Sequence, residues 1–203
     1  MRFAVVRGST SLRSILKDLE EWDLLILLGP LSRTLLLEQN LISRIFDIYK
    51  DRVIIIPSSY DDPSVYRIIV KVYNGIICRR ELKSSRMIIR CTSSLSDLER
   101  IIRDSCREVR ELVFIERSLR IDDNLGASSC EDIMKRILIY HGTSGSPGIV
   151  VDRFLKIWIS HGESVRILID YDRRSLRIEF LEREDSHSRS MRLIAQVPSI
   201  LKD

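Results

Sequence analysis

The chain has 203 residues, 44% hydrophobic and 31% charged, a globular composition that excludes wholesale disorder. Its 33 Lys and Arg residues against 29 Asp and Glu leave a net charge of +4, which admits an anionic partner without demanding one. No apolar run reaches the ~18 residues of a membrane helix, and Met1–Val6 lacks the longer apolar core of a secretory signal, so a cytoplasmic protein without a membrane partner is expected.

The first sixty residues alternate strand and helix. Phe3–Val6 is a short apolar run and reads as a buried strand, and Leu12, Ile15, Leu16 and Leu19 give Ser11 to Trp22 a helical spacing. Leu24–Leu28 is a second buried strand, stopped by Gly29-Pro30. Thr34 to Tyr49 reads as an amphipathic helix, and Val53–Ile56 is a third strand, stopped by Pro57. This order predicts a parallel sheet with right-handed crossovers, whose site lies in the loops beyond the carboxyl ends of the strands. Those loops are Arg7–Ser11, Gly29–Ser32 and Pro57–Pro63.

The middle is more β-like. A helix is expected after Pro63, followed by an Asn74-Gly75 turn, with Arg86–Cys91 as a further strand. Leu98, Ile101, Ile102 and Val109 predict a helix over Ser96 to Arg110, capped by Ser96 with Glu99 three residues on. Leu112–Glu116 reads as a strand, Asp122–Ser129 as a polar loop and Cys130–Arg136 as a short helix. Ile137–Tyr140 is a strand running into a Gly/Ser-rich loop, and Ile149 to Phe154 reads as a helix or a linker. Lys156–Ile159 is a strand. Val165–Tyr171 and Leu176–Leu181 flank Asp172-Arg173-Arg174 as a β-hairpin. One domain over residues 1–182 and a polar C-terminal tail over 183–203 are expected.

None of Cys78, Cys91, Cys106 and Cys130 is spaced as Cys-x-x-Cys, which disfavours a zinc ribbon. They read as reduced thiols that mostly pack. The basic residues are 26 Arg and 7 Lys, and Arg, Glu and Ile together suit the ion pairs and β-rich core of a thermophile.

The order of elements and the loop positions resemble the calcineurin-like metallophosphoesterase family over roughly residues 1–180. Val53-Ile54-Ile55-Ile56-Pro57-Ser58-Ser59-Tyr60-Asp61-Asp62-Pro63 is similar to the family's strand, its Gly-Asn-His-Asp/Glu loop and the following helix start. Asp23–Gly29 is similar to the strand leading into its Gly-Asp motif. The resemblance implies an α/β fold, an αββα sandwich of two mixed β-sheets flanked by helices. In the family, carboxylates, an amide and imidazoles hold two metal ions that activate water against a phosphoester.

Most of those ligands are replaced here. Arg7-Gly8-Ser9 stands where the resemblance puts Asp-x-His, and Gly29-Pro30 where it puts Gly-Asp. Ser59 replaces the Asn, Tyr60 the His similar to a general acid, and only Asp61 of that motif is kept. The lone His is kept as His141, and Gly-His-x-His becomes Ser160-His161-Gly162-Glu163. Two imidazoles without a carboxylate make a poor site for a hard divalent ion, and Arg7 would place a permanent positive charge where a cation should sit.

Each of these residues has a plainer reading. Arg7 either presents its guanidinium to a phosphate or pairs with an acid such as Glu163 or Asp61. Ser58, Ser59 and Tyr60 either contact a ligand or satisfy the turn. The arginines around Arg79–Arg86 and Arg100–Arg110 either form a nucleic-acid surface or lace a solvated face with the interleaved acids. The expected function is therefore a non-catalytic binding or scaffold subunit with a protein partner and no cofactor, its ligand-binding candidates being Arg7, Ser9, Ser58, Ser59 and Asp61. The alternatives are a residual phosphoesterase or nuclease and a phosphate or nucleotide sensor anchored by Arg7. The residual enzyme would use His141 and His161, with Tyr60 as a further catalytic candidate and Glu163 completing a single Mn or Zn site.

Overall fold

The computed structural model describes residues 1–8, 12–13, 15–16, 22–32, 35, 38–116, 130, 132–143, 147–151, 154–160 and 164–181. The chain divides into two compact units, Met1–Ile77 with Gly162–Asp203, and Cys78–His161. Each carries one six-stranded mixed sheet and helices, an α/β architecture.

In the first unit, β1 (Arg2–Arg7), β2 (Leu24–Leu28), β3 (Val53–Ile56) and β4 (Ile76–Ile77) run parallel. The register aligns Val5 with Ile26, and Ile26 with Ile54. The hairpin of β11 (Ser164–Asp170) and β12 (Ser175–Leu181) extends the sheet antiparallel beside β1. The apolar runs form strands because both faces are buried, so alternation is not needed.

Among the described residues, two complete helices serve this sheet. In α1 (Gln39–Tyr49), Leu41, Ile42, Ile45, Phe46 and Tyr49 form one buried stripe. In α2 (Pro63–Tyr73), Asp62 caps the start by accepting the Ser64 amide at 2.8 Å, and Pro63 occupies the first turn, where its missing N–H costs nothing. Both stripes pack with Ala4, Val6, Leu25, Leu27, Val53, Ile55 and Leu168 into one core. Asn74 adopts the left-handed conformation, φ 54°, and closes α2. The Asn74-Gly75 signal is thus a helix C-cap leading into β4. A Cβ on Gly75 would stand 2.9 Å from Ile69 and 3.1 Å from both Ile55 and Phe46, so the close approach requires glycine.

In the second unit, β6 (Met87–Thr92), β7 (Arg110–Glu116), β8 (Arg136–Thr143) and β10 (Leu155–Ser160) run parallel. The edges are β5 (Glu81–Lys83) and β9 (Gly148–Val151), both antiparallel to their neighbours. The third helix, α3 (Leu95–Arg103), buries Leu98, Ile101 and Ile102 against Val113, Ile115, Leu138, Tyr140 and Phe154. The Trp158 ring stacks on Tyr140 at 4.8 Å.

Several expectations are corrected here. The cap of α3 is Ser94, whose hydroxyl accepts the Asp97 amide at 3.4 Å, and not Ser96. Thr92 Oγ1 fixes the Ser94 amide at 3.1 Å as β6 ends, which places the helix start two residues earlier. The helix stops at Arg103 and not Arg110, because Arg110 opens β7 between β6 and β8. Cys130–Arg136 is not a helix: Asp132 accepts the Met134 amide at 2.9 Å in a side-chain turn that feeds β8. Ile149 belongs to strand β9, held by β10. The cysteines are not all thiols, since Cys106 and Cys130 form a disulfide. They lie in the lead-ins to β7 and β8, and parallel neighbours start at the same sheet end, which brings residues 24 apart in sequence together. Cys78 and Cys91 remain thiols, their sulfurs 2.8 Å apart. That contact and burial push the Cys91 pKa strongly upward.

The second unit also buries a charge cluster. Glu111 accepts from Arg136 Nε at 2.5 Å and faces Arg90 Nε at 2.8 Å, with all three residues buried. Arg136 also donates to the carbonyls of Ile102 at 3.5 Å and Asp104 at 3.4 Å, tying down the C-terminal end of α3.

Of the helix expected over Ser11 to Trp22, Leu12, Arg13 and Ile15 are helical, Leu16 is a turn and Trp22 stands outside a helix; the Leu12 amide bonds the Gly8 carbonyl at 3.2 Å, and that of Leu16 the Leu12 carbonyl at 3.3 Å. The expected loop at Asp122–Ser129 and the tail at 183–203 lie outside the described residues. The helix expected from Thr34 begins at Gln39 instead, because Glu38 stands outside it as the N-cap, with φ −135°.

Candidate functional site

Three parallel strands of the first unit deliver their carboxyl ends side by side. β1 ends at Arg7, which is 3% exposed, and Gly8 follows with φ 84° beside Ser164. β2 ends at Leu28, and Gly29 after it is joined to Pro30 by a cis peptide. The Gly29 amide bonds the carbonyl of Ile56 at 2.9 Å, which seats the turn against the end of β3. A Cβ on Gly29 would approach Ser58 Cβ to 2.7 Å and Tyr66 Oη to 2.8 Å, so a side chain there would displace the β3 loop.

Asp61 sits at the centre of this junction, 8% exposed. Its Oδ1 and Oδ2 each accept from the Leu31 amide at 2.8 Å. Oδ1 also accepts from the Ser32 amide at 2.8 Å and the Ser32 hydroxyl at 2.5 Å, and Oδ2 accepts from the Tyr66 hydroxyl. Leu31 and Ser32 precede a helical turn in which the Leu35 amide bonds the Leu31 carbonyl at 2.8 Å. A carboxylate held by amides at such a start satisfies donors that the helix leaves over. Tyr66, one turn into α2, in turn accepts from the Ser58 amide at 2.8 Å. A single carboxylate thereby fastens the β2 loop to the β3 loop and to α2.

The remaining expected residues divide. Ser58 is buried, and its hydroxyl accepts the Tyr60 amide at 3.3 Å, a turn-satisfying role. Ser59 is exposed, and Tyr60 is 57% exposed on the loop. The structure thus brings Ser58, Ser59, Tyr60 and Asp61 into one loop. His141 is buried on β8 in the second unit, paired in register with Glu116 and Ile159. Ser9, His161 and Glu163 lie outside the described residues. Among the described residues no three His, Cys, Asp or Glu side chains stand close enough to hold a metal ion. No helix among them is long and apolar enough to cross a membrane.

Sequence reasoning missed Leu31, Ser32 and Tyr66 as partners of Asp61. Tyr66 carried a readable signal, lying five residues beyond Asp61 on the first turn of a helix that Pro63 announces. The other partners need the parallel pairing of β2 with β3 to come within reach.

The surface arginines of α3 are paired: Arg100 meets Asp97 and Arg103 meets Glu99, each at 3.0 Å. Such i,i+3 and i,i+4 pairs lace a solvated helix face. No family model, no curated protein and no solved structure matches this chain.

Proposed function

We propose that this chain is a metallophosphoesterase-like protein that has given up its metal centre and works as a binding or scaffold subunit. The observation that carries the reading is the engagement of Asp61. The acid kept from the family's loop directs both oxygens at Leu31, Ser32 and Tyr66, so its role is to lock the loops together. Buried Arg7 supports it, bringing a fixed positive charge to the strand end where the resemblance puts a ligand carboxylate. These residues do not fit a dinuclear site. On the outer face of α2, Ile68 and Val72 are 45% and 66% exposed, one turn apart, with exposed Arg67 and Lys71 beside them. Apolar side chains beside cations suit a protein surface that is apolar at the contact and acidic at its rim.

The test is hydrolysis of bis(p-nitrophenyl) phosphate by the full chain with added Mn²⁺ or Zn²⁺. No turnover above the metal-only control is expected. Metal-dependent turnover abolished by His161→Ala would overturn the reading and make the chain a phosphoesterase.

A further inference from the structure

We propose that Cys78 and Cys91 form an oxidisable dithiol, a modification site that a small disulfide oxidant closes into a second bridge within the second unit. The site is separate from the loops around Asp61 and does not depend on the reading given to them.

Strand register brings the two thiols together. β5 runs antiparallel to β6 with Glu81 opposite Arg90, and the pairing continues beyond β5, where the Cys91 amide bonds the Arg80 carbonyl at 2.8 Å. That continuation carries residues 78–80 alongside the end of β6, so two cysteines 13 apart in sequence meet. The Cys78 thiol also donates to the Ile89 carbonyl at 3.7 Å, which holds it against β6. The two sulfurs stand 2.8 Å apart. That is inside the ordinary contact distance of two sulfur atoms and beyond the ~2.05 Å of a bond. Both side chains are therefore already turned toward each other, and less than about 1 Å of approach separates the dithiol from the bridge.

Burial sets the order of events. Cys78 is fully buried, whereas Cys91 is the one residue of β6 that is not buried. An oxidant arriving from solvent meets Cys91. The Cys91 thiol gives up its proton, attacks one sulfur of the oxidant and releases the other half as a thiolate. Cys78 then loses its proton and attacks Cys91 Sγ, and the second half leaves as a thiolate. The protein gives up two electrons and two protons, and the oxidant, a disulfide such as oxidised glutathione, takes them up as two thiols.

The surroundings favour the bridge once it is made. Cys91 pairs in register with the fully buried Phe114 of β7, an apolar neighbour that does not stabilise a thiolate. Stabilised thiolates are what make a disulfide easy to reduce, so this setting slows closure and makes the closed form hard to open. The bridge would close a loop around β5, the three-residue edge strand of this sheet, and fasten it to β6.

The experiment incubates the full chain, purified without reductant, with oxidised glutathione, then alkylates it in denaturant and maps it by tryptic mass spectrometry. Arg79, Arg80, Lys83, Arg86 and Arg90 put the two cysteines on different peptides, so the bridge is read as a linked pair. Free thiols should fall from two to none, with Cys78 linked to Cys91 and the Cys106–Cys130 bridge unchanged. Cys78→Ser removes the second attacking thiol and should trap one glutathione on Cys91, while Cys91→Ser should trap far less on Cys78. The closed chain should melt roughly 5 °C or more above the untreated one. The linked peptide is read in the parent chain, so the test stands whether or not either variant folds. The proposal is overturned by two thiols persisting at equilibrium, by glutathione held on the parent chain without a linked peptide, or by linkage of either cysteine to Cys106 or Cys130. A lower melting temperature in the closed chain would overturn it too, showing that the bond distorts the fold.

Discussion

Removing the Asp61 carboxylate tests whether that residue holds the loops. Asp61→Ala deletes every hydrogen bond that joins the β2 loop to the β3 loop through this side chain. The Leu31 amide and the Tyr66 hydroxyl belong to residues only 1% and 7% exposed, so water replaces the lost acceptor poorly. An unmet buried donor costs about 1–3 kcal/mol; two of them, with Ser32 half-buried and partly rescued by water, give a loss of about 4 kcal/mol. Asp61→Asn keeps one oxygen for the Leu31 and Ser32 amides and loses mainly the charge assistance, so about 1–2 kcal/mol is expected. Guanidinium unfolding followed by far-ultraviolet circular dichroism measures both. A loss below about 1 kcal/mol in Asp61→Ala would refute the clamp and release Asp61 for ligand chemistry.

Two further outcomes follow from the same structure. Opening the Cys106–Cys130 bridge, which spans 24 residues, should cost about 3.5 kcal/mol by the loop-closure estimate. Thiol titration in denaturant should find two thiols without reductant and four after reduction, and four from the start would contradict the bridge. The Ser64 amide and hydroxyl hold the Asp62 pKa below its ordinary 3.8. The unfolded chain therefore takes up this proton first as pH falls. The stabilisation is present above the unfolded pKa and is lost as pH drops through the folded one. Asp62→Asn should keep the cap and flatten stability against pH below ~4, and an unchanged slope would contradict the assignment.

The βαβ core was legible because Leu24–Leu28 and Val53–Ile56 are unbroken apolar runs, bounded by Gly29-Pro30 and Pro57. What was not legible depends on partners far along the chain. β5 is three residues with two charges, and only its pairing with β6 makes it a strand. Ser94 with Asp97 and Ser96 with Glu99 fit the capping rule equally well, and the end of β6 decides between them. In the candidate site, Asp61 could be found from its loop, but its role rests on Leu31 and Ser32, thirty residues back.

The most direct test of the binding-subunit reading is metal content and calorimetric titration with Mn²⁺ and Zn²⁺, run beside His161→Ala. The lost centre predicts no metal carried through purification and no saturable heat with either ion. One tightly bound ion per chain, lost in His161→Ala, would contradict it.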